Sequence, residues 1–277
     1  MLEIDGSQIL SRNVFVASGH LDNFSDPITN CTKCKSIYRA DRLISELSKS
    51  DEIISEKLSN DIYDKKIVSQ NIRCPSCNSK LSSVSRFNMM YNLGIGPKSD
   101  QAYLRPETCQ NIFVDYLRLF KTMRIKLPIG FAQFGKSFRN EISPRQSLLR
   151  LREFYQAEIE VFFNPENVVT FDKFSEVSDC KLNIFDKNSN TVSKSCREFV
   201  DTEVLPNEFI AYYLALVQQF YNNTGIDSSK TRFRILPDDD RAFYASHSFD
   251  FEVLTSLGWL ELVACNDRSN YDLTRLS

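Results

Sequence analysis

Glycine is scarce, with 8 among 277 residues, and no G-x-x-x-x-G-K-[S/T] run occurs. The chain therefore has no Gly-rich loop of the type that cradles nucleotide phosphates. It also lacks an apolar run long enough to cross a bilayer and a basic-then-apolar leader at its N-terminus, which predicts a soluble, cytoplasmic protein with no membrane partner. An excess of one charge is missing too: 34 Lys and Arg face 36 Asp and Glu, a net charge of -2. That balance argues against binding nucleic acid by bulk charge, while leaving room for a local basic groove. His20 and His247 are the only histidines, and neither stands near a plausible nucleophile, so both read as structural. Repeats and low-complexity tracts are absent. What remains, 42% hydrophobic and 25% charged residues, is a globular composition long enough for one large domain or two modest ones.

Cysteine is present in an informative pattern. Cys31-Thr-Lys-Cys34 and Cys74-Pro-Ser-Cys77 form two CxxC pairs, while Cys109, Cys180, Cys196 and Cys265 are scattered. Without a secretion signal a disulfide framework is not expected, and two CxxC turns suit a tetrahedral Zn²⁺ held by Cys31, Cys34, Cys74 and Cys77. The alternative is two unrelated pairs of free thiols. Four protein ligands leave no open position, so the metal's role would be structural. Between the pairs, residues 41–70 carry Leu and Ile at helix-like spacing among polar residues, which makes 31–80 a small zinc-binding insert.

Beyond the insert, the pattern predicts a helix from about Pro106–Thr108 to Met123, with Pro106 and Glu107 suited to its first turn. A long hairpin follows, with strands over 129–141 and 150–163 around a Ser-Pro-Arg-Gln-Ser turn. Residues 164–205 are polar and irregular and read as a surface insertion. A helix over 207–222 shows an apolar side through Phe209, Tyr212, Tyr213, Leu216 and Phe220. Two further strands meet around Leu257 and Gly258. The fold class is α+β, a mostly antiparallel sheet flanked by helices. Residues 1–30 and 81–163 form the first part of the core, and 206–277 the second.

The second hairpin strand is unusual. Arg150, Arg152, Phe154, Gln156, Glu158 and Glu160 share one parity; Leu151, Glu153, Tyr155, Ala157, Ile159, Val161 and Phe163 share the other and read mostly as a core face. The first strand adds Ser137, Arg139 and Glu141. Arginine forks grip phosphate oxygens, a phenylalanine face stacks on a purine, and carboxylates receive an ammonium group or Mg²⁺. A nucleoside triphosphate lying on the sheet fits this row; a solvated face of cross-strand ion pairs fits it equally well.

The stretch FRNEISPRQSLLRLREF resembles motif 2 of the class II aminoacyl-tRNA synthetases. ASGHLDNFSDP, CTKCKSIYRADRLI, YLRPETCQNIF, REFYQAEIEVFF and LGWLELVACNDRSNYDL resemble, in the same order, segments of the glycyl-tRNA synthetases of the archaeal and eukaryotic dimeric type. The resemblance implies ATP-dependent activation of glycine to glycyl-adenylate and transfer to tRNA(Gly), with ATP and Mg²⁺ as co-reactants. It further implies a homodimer when the protein is full length.

By the same resemblance, Arg139 would grip the α-phosphate and Arg150 the γ-phosphate, the two acting catalytically. Asn140, Glu141, Leu149, Leu151, Arg152, Glu153, Phe154, Glu261 and Leu262 would complete the ATP site, with Phe154 stacked on adenine and Glu261 helping to hold Mg²⁺. Glycine would meet Arg39, Glu107, Phe154, Glu158 and Arg268, its ammonium between Glu107 and Glu158 and its carboxylate on Arg268. Residues 143–147 would approach the acceptor end of tRNA. Without a family, Glu107 reads as a helix-end acid and Arg268 as a surface partner of Asp267 or Asp272.

The family's motif 1, motif 3 and anticodon-binding domain have no counterpart in these residues, and Phe243 and Leu276 stand where the family has histidines. The 277 residues alone are thus expected to be weakly active or inactive. Two other readings stay open: a non-catalytic tRNA-binding or regulatory descendant, and a ligase that charges glycine onto another acceptor.

Overall fold

The computed structural model describes residues 1–48, 55, 57–142, 149–167, 171–185, 190–238 and 240–276. These form two compact units. One comprises Met1–Ile125, Gly130–Glu160 and Asp272–Ser277, the other Lys126–Ile129 and Val161–Tyr271. Among the described residues no helix is long and apolar enough to cross a membrane.

The first unit begins with β1 (Leu2–Ile4) and β2 (Ile9–Ser11), the short helices α1 (Arg12–Ala17) and α2 (His20–Asn23), then β3 (Ser25–Asn30) and β4 (Ile37–Arg39). Helices α3 (Ala40–Leu47) and α4 (Asn60–Ser69) lead to β5 (Ser85–Asn88), β6 (Tyr91–Ile95), β7 (Asp100–Leu104) and α5 (Cys109–Met123). The hairpin strands are β8 (Ile129–Phe138) and β9 (Glu153–Phe162), whose ends fall in the other unit. Three small sheets result, in the orders β4-β3-β5, β2-β7-β6 and β1-β8-β9. Helices α3 and α4 bury Ala40, Leu43, Ile44, Tyr63 and Ile67 with Ile72 and Val84. The residues between the cysteine pairs thus close a small apolar core of their own.

Helix α5 starts where the sequence places it, with Thr108 at its N-cap and Cys109, Gln110, Asn111, Ile112 and Phe113 buried in its first turns. On β9 the expected burial is reversed. Tyr155 is 80% and Ile159 52% exposed, whereas Phe154, Gln156, Glu158 and Glu160 are partly buried. Alternation defines two faces without saying which one is covered. Here the charged row is the covered face, because its groups have polar partners in the same unit.

The second unit contains β10 (Lys181–Phe185), β11 (Thr191–Ser195), α6 (Cys196–Asp201), α7 (Glu208–Asn223), β12 (Thr231–Ile235), β13 (His247–Thr255) and β14 (Gly258–Asp267). Its sheet runs β11-β10-β12-β13-β14, antiparallel except for the β10–β12 pair. A final helix, α8 (Tyr271–Leu276), closes the described chain. Two expectations need correction. Residues 164–205 are not a surface insertion, since Phe174, Val177, Leu182, Ile184, Cys196, Phe199 and Leu205 all lie in this unit's core. On α7 the buried residues are Phe209, Ala211, Tyr212, Leu214, Ala215 and Gln218, while Phe220 is exposed. Small alanines flanking the aromatics allow close approach to the sheet, so the covered stripe is rotated toward them.

Arg105, just after β7, is the largest fully buried side chain among the described residues. Its Nε donates to Lys136 O at 2.9 Å and its Nη1 to Gly6 O at 3.0 Å. Its backbone N–H donates to Gln8 O, and its carbonyl accepts from Phe138 N–H, both at 2.9 Å. A Cβ at Gly135 would overlap the Arg105 guanidinium, which these bonds prevent from moving aside. Gly135→Ala is expected to lower unfolding stability by about 1–3 kcal/mol in urea titration; an unchanged midpoint would contradict this packing.

Candidate active site

The turn Pro106–Thr108 links β7 to α5 and carries a carboxylate into the first unit. Glu107 Oε1 lies 3.7 Å from Arg139 Nη2. Its Oε2 lies 3.3 Å from His20 Nε2, and Cys109 Sγ donates to it at 3.6 Å. Next to Glu107, Thr108 Oγ1 donates to Glu158 Oε2 at 2.6 Å, reaching across to β9. Donor atoms of Glu107, Cys109 and Glu158 all fall within 4.8 Å of one another. Two carboxylates that close repel by roughly 3 kcal/mol at an effective dielectric of about 20. A cation placed between them relieves that repulsion.

Arg139 follows β8, and its backbone N–H donates to Arg152 O at 3.0 Å. Its guanidinium donates from Nε to Pro106 O at 3.2 Å. The guanidinium carbon sits 5.4 Å from the Phe24 ring centre and 5.2 Å from that of Phe154. Stacking between two rings restricts the fork while leaving its edge available to an anion. Asn140 is held by its N–H, which donates to Met89 O at 2.7 Å. Glu141 Oε2 lies 3.6 Å from Arg150 Nη1, and its carbonyl accepts from Arg152 Nε at 3.1 Å. One cluster thus contains Glu107, Glu158, Arg139 and Phe154, and a neighbouring one Glu141, Arg150 and Arg152.

The remaining predicted residues make other contacts or face solvent. Glu153 is on the exposed face of β9 and pairs with Lys136. Leu149 and Leu151 are exposed. Arg39 grips Asp41 with two bonds, from Nε at 3.1 Å and Nη2 at 2.5 Å, and lies 3.2 Å from Asp26. Residues 143–147, read as approaching tRNA, lie outside the described residues.

In the second unit, Glu261 and Leu262 are exposed on β14, with Glu261 opposite Glu252 of β13. The guanidinium carbon of Arg268 lies 3.7 Å from the Tyr244 ring centre. Asp250, unremarked in the sequence, is buried on β13. Burial, reinforced by the charges of Glu261 and Glu252, pushes its carboxyl up to about 7, against the pull of Arg234. This accumulation of negative charge is of the kind a dication offsets. A buried acid reads from sequence like any alternating strand residue, so nothing local signals Asp250.

The four CxxC thiols also converge. Cys31 Sγ lies 3.4 Å from Cys77 Sγ, and Cys34 Sγ 3.5 Å from Cys74 Sγ. Zn–S bonds of about 2.3 Å in a tetrahedron separate sulfurs by about 3.8 Å, so a small expansion seats the metal. Backbone N–H groups of Lys33 and Cys34 donate to Cys31 Sγ at 3.4 Å, as a metal-binding turn requires. Hydrogen bonds lower two of the thiols, Cys74 through the Tyr38 hydroxyl and Cys77, to about 6, through Ser79.

Residues 91–276 match the model of the tRNA synthetase class II core domain (G, H, P, S and T). The chain is 42% identical over 277 residues to a glycine–tRNA ligase of Methanothrix thermoacetophila, covering 98% of this chain and 47% of that protein. It is 43% identical over 280 residues to the glycine–tRNA ligase of Pyrococcus abyssi, covering 99% and 48%. A glycine–tRNA ligase of Thermococcus kodakarensis is 42% identical over 280 residues, again at 99% and 48%. The chain spans about half the length of the curated relatives it matches.

Metal analysis of the purified protein should find stoichiometric zinc that Cys31→Ser and Cys74→Ser each remove; unchanged zinc in both variants would exclude the four-cysteine site. Asp250 gives a pH prediction. Folded Asp250 keeps its proton to about pH 7, whereas its ordinary value is 3.8. Stability is therefore greatest below the ordinary value and falls as pH rises through this interval. Asp250→Asn should flatten the decline and gain about 1–4 kcal/mol above pH 7 in urea titrations. Parallel wild-type and variant profiles would contradict the buried protonated acid.

Proposed function

Because the chain belongs to the tRNA synthetase class II core-domain family of the G, H, P, S and T type, we propose that it carries much of the catalytic core of a glycine–tRNA ligase. The observation that carries this reading is the approach of Glu107 and Glu158 within 4.8 Å, beside an Arg139 that stacks on Phe154. The relatives named glycine–tRNA ligase supply the amino acid.

In this reading the ammonium of glycine lies between Glu107 and Glu158. Two carboxylates give it charge-assisted hydrogen bonds that a neutral isostere lacks. Selection against larger amino acids is steric, through a pocket with no room for a β-carbon. ATP lies along the motif 2 hairpin, its adenine on Phe154 and its α-phosphate at Arg139, with Arg150 toward the γ-phosphate.

A carboxylate oxygen of glycine attacks the α-phosphorus, the bond to the bridging oxygen breaks, and pyrophosphate leaves. No protein nucleophile is needed. Arg139 stabilises charge on the phosphoryl oxygens, and the rest is alignment. Glu261 would hold Mg²⁺, which when bound offsets phosphate charge, an assignment that rests on the family resemblance. Arg268 would take the carboxylate of glycine, an assignment that rests on the family resemblance. Glycyl-adenylate then passes its glycyl group to a terminal ribose hydroxyl of tRNA. Cys31, Cys34, Cys74 and Cys77 would hold a structural zinc.

The test is glycine-dependent exchange of labelled pyrophosphate into ATP, which registers adenylate formation even at low turnover. Arg139→Ala should reduce exchange by about 100-fold or more, and alanine or serine should not replace glycine. Exchange supported equally by alanine, or unaltered in Arg139→Ala, would overturn the reading.

A further inference from the structure

His20 is fully buried, at 1% exposure, yet it is more than core filling. Its ring packs against Phe15 and Phe24, with centroids 6.2 and 5.8 Å away. Both nitrogens face polar atoms: Nδ1 lies 2.9 Å from Ser18 Oγ, and Nε2 lies 3.3 Å from Glu107 Oε2 and from Gln110 Nε2. The local chain explains how Ser18 and His20 reach each other. Helix α1 ends at Ala17, and Gly19 takes a left-handed φ of 79° before α2 starts at His20. That turn is open to glycine and strained for residues with a side chain.

Where the hydroxyl of Ser18 donates to Nδ1, the ring proton is left on Nε2 and that N–H is aimed at Glu107. Glu158 has a counterpart arrangement, accepting from Thr108 Oγ1 at 2.6 Å. We infer that His20 is a positioning residue for amino-acid binding: tuned by Ser18, its Nε2–H holds the Glu107 carboxylate in the orientation that receives the substrate's ammonium. This inference rests on the ligase reading above.

The chemistry favours an imidazole here. A buried carboxylate without donors is costly, and its rotamer would drift away from Glu158 under mutual repulsion. A lysine or arginine in place of His20 would satisfy Glu107 but cancel the charge that attracts the ammonium. A neutral N–H donor fixes the carboxylate and leaves that charge in place. Gln110 Nε2 at 3.4 Å and Cys109 Sγ at 3.6 Å also donate to Oε2, and Arg139, 3.7 Å from Oε1, contacts the other oxygen.

Two measurements on the whole protein test this. In pyrophosphate exchange, His20→Ala and Ser18→Ala should raise the KM for glycine by about tenfold while leaving the KM for ATP unchanged. His20→Gln, whose amide can still donate to Glu107, should recover much of the loss. Equal rises in both KM values, or no rise for glycine, would overturn the positioning role.

Nitrogen-15 NMR of the imidazoles provides a readout independent of activity, since the chain has only two histidines and exposed His247 serves as reference. His20 should be the Nε2–H tautomer, with its Nε2 signal displaced by Glu107→Gln. An Nδ1–H tautomer would overturn the inference outright. If the full-length gene product gives no glycine-dependent exchange, the ligase reading fails and the role in substrate binding fails with it. The NMR result then still decides whether the His20–Glu107 contact exists.

Discussion

One buried guanidinium organises the first unit. Arg105 is 1% exposed, and burial draws its proton affinity down while the charges of Asp5 and Glu158 pull it back up. Such a cation is tolerable only when hydrogen bonds offset its burial. Its Nε and Nη1 are bonded, to Lys136 O on β8 and to Gly6 O. The same residue's backbone joins Gln8 and Phe138. Arg105 thereby pins the N-terminal segment, the end of β7 and the hairpin to one another. The turn that follows immediately, Pro106–Thr108, inherits that rigidity, and it supplies Glu107 to His20 and Arg139 and Thr108 to Glu158. Gly135 belongs to the same constraint, since a side chain there would occupy the place of the guanidinium.

The site's electrostatics then follow from a sorting of charge. Glu107 and Glu158 approach within 4.8 Å, Glu158 accepting from Thr108, Glu107 from Cys109 and Gln110 with Arg139 beside it. Arg139 lies beside them, 3.7 Å from Glu107 and packed against Phe24 and Phe154. Arg150 and Arg152 meet Glu141 at its carboxylate and its carbonyl. In the second unit, Glu252 and Glu261 place negative charge beside the proton-retaining Asp250, partly balanced by Arg232, which lies between Phe185 and Trp259 and 2.6 Å from Glu252.

Much of this was legible in the sequence, and the failures have physical causes. Helix α5, the hairpin, α7 and the final two strands follow their patterns, because long elements repeat a period often enough to be read. The row on β9 is legible as unusual, but hydropathy assigns its burial the wrong way round, since Tyr155 and Ile159 look like core and Glu158 and Glu160 like surface. Hydropathy assigns a face only when polar groups lack local partners, and these have them. Residues 164–205 concealed core residues such as Phe174, Leu182 and Leu205, because five-residue strands and single turns interleave them with polar ones. His20 was read as structural for a different reason: its partner Glu107 is 87 positions away in sequence, and a single histidine carries no period. The two CxxC pairs were the opposite case, a local pattern whose convergence the structure displays directly.

The central claim is that Glu107 and Glu158 form one receptor for the ammonium of glycine. A crystal structure with glycine and a non-hydrolysable ATP analogue tests it most directly. The account predicts the amino nitrogen within hydrogen-bond distance of both carboxylates, with Arg139 on the α-phosphate and His20 Nε2 still on Glu107. Glycine bound away from this pair, or the two carboxylates drawn apart around bound glycine, would contradict it.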